Sequence, residues 1–171
     1  RAVRLWQTRR AVTPTPASPL VSTLQSGSIT AMLAERIASE PTAVFLRSSD
    51  GELTYAELHD RAATLAGSLH HIGVRPGTRV VLFMRNSLDQ VIVWFALARL
   101  GAVHVPINTA LLGKHLQHIL RVADPQVAVV DRDLWSVLHD ALDATPSLQT
   151  VVVTGTDLPP SADSTSPRRT V

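Results

Sequence analysis

Few side chains in these 171 residues are grouped as chemistry would need them. His115 and His118 lie three apart, on one face of any helix that holds them, and His104 precedes them. Two imidazoles at that spacing could begin a metal site. Gly113–Ala123 contains no Asp or Glu to complete it, and Asp124 only follows, so the pair reads as a solvated polar face. His70-His71 opens like an acyl-transfer His-His-x-x-x-Asp-Gly motif, yet Arg75 and Pro76 stand at the Asp and Gly positions. Both histidines read instead as the last turn of a helix, where a cation complements the dipole. Gly113-Lys114 is followed by His115, with Gly101 too far back for a phosphate loop, and no G-x-G-x-x-G or G-x-S-x-G occurs. The absence of cysteine removes thiolate catalysis, thiolate metal sites and disulfides. Trp94 and Phe95 sit in an unbroken apolar run and read as core, not as a stacking platform. No catalytic, cofactor-binding or metal-ligating residue is assigned from residue types alone.

The elements that would have to position any site are clearer. Ile29, Met32, Leu33 and Ile37 fall at helical spacing before Pro41. Ala43–Arg47 and Glu52–Thr54 flank the turn signal Ser48-Ser49-Asp50-Gly51, so a hairpin is expected. Thr54-Tyr55-Ala56-Glu57 is a capping box, opening a helix whose stripe is Leu58, Ala62, Leu65, Leu69 and Ile72, with Gly73 beyond its end. Arg79–Met84 reads as a strand buried on both faces. Then follow a helix over Ser87–Leu100, a strand over Ala102–Ile107, and a helix over Gly113–Ala123. A strand over Gln126–Asp131, a helix over Leu134–Leu142 and a strand over Gln149–Thr154 complete the series. The alternation predicts an α/β fold, a mostly parallel sheet with flanking helices and an N-terminal β-hairpin.

Composition divides the chain in three. Residues 1–28 carry Arg1, Arg4, Arg9 and Arg10, no acid, and Pro14, Pro16 and Pro19 among hydroxyls, the composition of a disordered basic arm or of an organellar leader. Residues 29–155 hold ten basic and twelve acidic residues, and 156–171 read as a loop or disordered tail. The pI of about 9.9 reflects a chain whose only lysine is Lys114 and whose only tyrosine is Tyr55. A mildly acidic body argues against a nucleic-acid face. The longest apolar run, Val91 to Ala98, is far short of the roughly 20 residues a membrane span needs.

In this order of elements, 29–155 resembles the N-terminal part of the AMP-forming acyl-CoA synthetases, the adenylate-forming (AMP-binding) ligase family. The resemblance rests on Leu53-Thr54-Tyr55-Ala56-Glu57-Leu58, Gly73-Val74-Arg75-Pro76-Gly77-Thr78-Arg79-Val80, and Asn86-Ser87. It continues through Ala98-Arg99-Leu100-Gly101-Ala102-Val103, Val105-Pro106-Ile107-Asn108, and Asp124-Pro125 before Val127–Asp131. Asn108-Thr109-Ala110-Leu111-Leu112 looks more like the acyl-CoA ligase branch than like peptide-synthetase adenylation domains, which continue after Pro-Ile with Asp-Pro. Gly113-Lys114-His115 and His104 depart from the pattern.

The resemblance implies a parent reaction of carboxylate plus ATP to acyl-AMP, then a thioester with CoA, with ATP, Mg and CoA as the parent's requirements. The family's Ser/Thr/Gly-rich phosphate loop ending in Pro-Lys-Gly, its ribose-binding Asp and its catalytic Lys have no counterpart here, so none of those groups is expected to be bound by this segment. The expectation is an N-terminal segment, inactive in isolation and cytoplasmic. The alternatives are an organellar location directed by the arm and a non-catalytic α/β partner-binding module. The all-round apolar helix Ser87–Leu100 adds the expectation of uncovered surface, self-association and no sharp melt.

Overall fold

The computed structural model describes residues 28–155 and the backbone of Arg169–Thr170; the expected arm, and the expected tail apart from that pair, lie outside the described residues. The first helix, α1 (Ile29–Ser39), starts where the Ser28 hydroxyl accepts the Ala31 N–H at 3.2 Å. Strands β1 (Val44–Ser48) and β2 (Gly51–Thr54) form the antiparallel hairpin, with a register shift between Val44 and Leu46. Helix α2 (Tyr55–His71) follows directly. The capping box is present: the Thr54 hydroxyl accepts the Glu57 N–H at 3.2 Å and the Glu57 carboxylate accepts the Thr54 N–H at 2.9 Å. Such a cap contributes about 1 kcal/mol.

The main sheet is parallel throughout, in the order β4 (Val103–Pro106), β3 (Arg79–Phe83), β5 (Val127–Asp131), β6 (Thr150–Thr154), β7 (Arg169–Thr170). Helices α3 (Leu88–Leu100), α4 (Gly113–Ala123) and the short α5 (Trp135–His139) connect its strands. The expected helix over Leu134–Leu142 is instead α5 flanked by 3₁₀ turns at Arg132–Leu134 and Leu142–Ala144. The buried residues still fall at helical spacing, but the Ala141 N–H bonds back only three residues, to Leu138.

Alternation along the strands builds two cores. Val80, Leu82, Val127, Val129 and Val152 face α1, α2 and α3. Val81, Phe83, Ala128, Val130 and Val151 face α4 and α5, with Leu116, Leu120, Trp135 and Leu138 all buried. β3 and β5 are therefore covered on both sides, as the unbroken apolar runs require.

Helix α3 corrects one expectation. Leu88, Ile92, Val93, Phe95, Ala96 and Leu97 are buried, so the helix is largely covered within this chain. Trp94, read as core, is instead 37% exposed, its ring 5.5 Å from that of His104. A run without a polar residue carries no mark of which side faces out, and Trp94 occupies that side.

At the sheet's near edge, the amides of Val103 and Ile107 bond to the Thr78 and Leu82 carbonyls beside β3. His104 and Pro106 therefore face outward in the alternating pattern of a parallel strand.

Candidate functional site

Connections decide where a site can form. β3 passes through α3 to β4 on one face of the sheet, whereas β4 and β5 pass through α4 and α5 on the other. Neighbouring strands β3 and β5 thus send their chains to opposite faces, which opens a crevice beyond their carboxyl ends.

Side chains from three strand ends meet there. The Asp131 carboxylate, closing β5, accepts the Arg85 N–H at 2.7 Å and the Thr154 hydroxyl at 3.2 Å. The Arg85 guanidinium pairs with the Asp133 carboxylate. Beside this cluster, between the ends of β3 and β4, lies an open groove of about 470 Å³. Arg85, Asn86, Gln90, Asn108 and Thr109 supply its polar wall over buried Met84 and Ile107. Two local devices hold that wall. The Ser87 hydroxyl caps α3 by accepting the Gln90 N–H at 3.1 Å, and Asn108 folds its own loop by accepting the Ala110 N–H at 2.9 Å.

Amides, a hydroxyl and one guanidinium can orient a polar ligand by hydrogen bonds. They do not make a nucleophile and base, and the guanidinium charge is already met by Asp133. Among the described residues, no three His, Asp or Glu side chains converge as a metal site.

The histidines stay apart. His104 is on β4 toward α3, and burial lowers its pKa; His115 and His118 are exposed on α4, on the opposite face of the sheet. His70 and His71 end α2, exposed, where the Arg75 guanidinium bonds the His70 carbonyl at 2.6 Å. His59 also has a lowered pKa, from burial first and the Arg99 charge second. Glu57 lies below the usual carboxylate range because the Thr54 N–H, then its hydroxyl, bond the ionised form.

Sequence reasoning assigned no role to Arg85, Gln90, Asp131, Asp133 or Thr154. The usable signal was position alone: Arg85, Asp131, Asp133 and Thr154 stand at or just beyond strand ends, and Gln90 in the first turn of the helix that follows β3, where α/β sheets bind ligands.

The profile of the AMP-binding enzyme family matches residues 33–170. A 3-oxocholest-4-en-26-oate–CoA ligase of Rhodococcus rhodochrous is 34% identical over 124 residues, 71% of this chain and 22% of that protein. D-lysergyl-peptide-synthetase subunit 1 of Epichloe festucae var. lolii is 34% identical over 116 residues, 66% of this chain and 3% of that one. Among solved structures, the anthranilate CoA ligase AuaEII in complex with anthranoyl-AMP superposes with a TM-score of 0.69 at 27% identity. That likeness covers 75% of this chain and 25% of AuaEII. The chain thus spans a quarter or less of the length of these proteins.

Proposed function

The chain belongs to the AMP-binding enzyme family, and on that premise we propose that it is the N-terminal segment of an AMP-dependent acyl-CoA ligase. The observation that carries the reading is the match of this five-stranded sheet and its flanking helices to one quarter of a CoA ligase. The parent reaction is attack of a carboxylate oxygen on the α-phosphorus of ATP, loss of pyrophosphate, then transfer of the acyl group to the CoA thiol. ATP, Mg and CoA belong to that parent.

Identity does not separate the CoA-ligase from the peptide-synthetase relatives, since both stand at 34%. The loop Asn108–Leu112 favours the former, because it lacks the Asp-Pro that follows Pro-Ile in the peptide-synthetase pattern.

Adenylation requires cations and donors preorganised on the departing pyrophosphate. The crevice offers Arg85, and Asp133 already neutralises it. The segment's part is therefore structural: it holds the crevice end of the sheet in shape and lends the groove's amides. In isolation it has no ligase activity.

Two experiments test this. ATP–pyrophosphate exchange with purified 1–171 and a panel of carboxylates should stay at background, and robust exchange would overturn the division of labour. Sequencing the reading frame beyond Val171 should reveal a Ser/Thr/Gly-rich loop ending in Pro-Lys-Gly; an immediate stop codon would favour the non-catalytic partner-binding module. Self-association of the segment follows from its outward apolar residues, Met32, Trp94 and Val103 foremost, and light scattering reads it. A cytoplasmic location is part of the same proposal, with the arginine-rich arm as the organellar alternative. No described helix is long and apolar enough to cross a membrane.

A further inference from the structure

Helix α4 buries Leu116 and Leu120 against the sheet and turns a different set outward. Around its exposed arc come Arg121, Lys114, His118, Val122 and His115, neighbours by the 3.6-residue turn. From Asn108 to Ala123 there is no Asp or Glu. The next acid, Asp124, is held by Arg79 at 2.6 Å. Arg36, Arg47, Arg61, Arg79 and Arg85 each meet a carboxylate, whereas Lys114 and Arg121, like Arg75 and Arg99, meet none among the described residues. On the same arc Val122, between His118 and His115, is 72% exposed, and Leu112, just before the helix, is 58% exposed.

We propose that the outer face of α4 is a docking surface for an anionic lipid bilayer. Cations on one side of outward apolar residues suit a helix lying in the membrane interface, with ammonium and guanidinium at headgroup level and Val122 and Leu112 below them. Nucleic acid fits less well, because it offers no apolar layer for those two residues. Two cations give weak, reversible attachment, at about fivefold each near an anionic surface.

The test uses the whole 171-residue chain and vesicles of phosphatidylserine and phosphatidylcholine in equal parts, against phosphatidylcholine alone. Lys114→Glu with Arg121→Glu should lower partitioning by about 25-fold or more at low salt, with unchanged circular dichroism. Lys114→Arg should retain it. Because the chain has no cysteine, Val122→Cys accepts a single polarity-sensitive dye, whose emission should shift to the blue on the mixed vesicles. Partitioning untouched by the double reversal would assign the effect to the arginines of 1–28 and overturn the proposal. So would equal binding to phosphatidylcholine alone, or a dye that does not respond. Displacement by a DNA duplex with no dye shift would transfer the surface to nucleic acid.

Discussion

Replacing Phe95 by alanine tests whether the hairpin and the helical layer form one cooperative body. Phe95 is 3% exposed on α3, and its ring meets Phe45 of β1 edge-on, centroids 5.7 Å apart and planes at 90°. Phe45 in turn meets Tyr55 at the start of α2, 5.4 Å away. Truncating a core phenylalanine costs about 3–5 kcal/mol. Half-buried Phe45, truncated alone, should cost about 1–2 kcal/mol from lost apolar burial. The edge-on pair carries about 1 kcal/mol beyond area, so the double variant should fall short of the sum of the singles by that much. A domain of this size has about 5–15 kcal/mol in all, so Phe95→Ala should remain folded with little margin. At a urea slope of about 2 kcal/mol per molar, its midpoint drops by about 2 M. Urea titration followed by circular dichroism at constant slope is the assay. A loss under about 1 kcal/mol, or a cycle with no coupling, would mean that the hairpin is not docked on α3 as described. A broad wild-type transition would show that the two cores do not close without further chain, despite the burial of α3.

His59 and His104 both have folded pKa values depressed by burial. The stability they contribute is present above the unfolded histidine pKa and lost as the pH falls through the folded values. Melting temperature should therefore fall between about pH 7 and pH 5, and His104→Phe should flatten that slope; a steeper slope would contradict the sign. Gly101→Ala should cost about 1 kcal/mol through its left-handed φ of 65° alone, because the added Cβ would sit 3.5 Å from Pro76 Cβ, ordinary contact. A loss of several kcal/mol by chemical denaturation would mean that packing, not backbone conformation, selects glycine there. Asp131→Ala leaves the Arg85 N–H without its partner and should raise amide exchange at the ends of β3 and β6 while the sheet centre stays protected; uniform exchange would rule out a local clasp.

What the sequence made legible was local. The Thr54–Glu57 capping box, the end of α3 near Gly101, and the bounds of α4 depend on residues within a turn of one another. The crevice was not legible, because Arg85 finds Asp131 and Asp133 across 46 and 48 residues. Strand order had the same difficulty: alternation of elements implies a parallel sheet but not that β5 pairs with β3 rather than with β4. Trp94 was misplaced because a helix apolar at every position between Val91 and Ala98 offers no moment to orient it. The broken α5 kept the period of a helix while tightening its turns, which spacing does not register.

Pro106 closes one margin of the sheet to further strands. The outer margin of β4 carries one amide donor, that of His104, because the next outward nitrogen belongs to proline. An incoming strand would find too few rungs to continue the ladder, so this margin resists templating by a stray β-segment. At the opposite margin, among the described residues, β7 pairs with Thr150 and Val151 of β6. Among the described residues, Trp94 and Val103 leave apolar side chains outward at that β4 margin, so contact there falls to side chains rather than to backbone pairing.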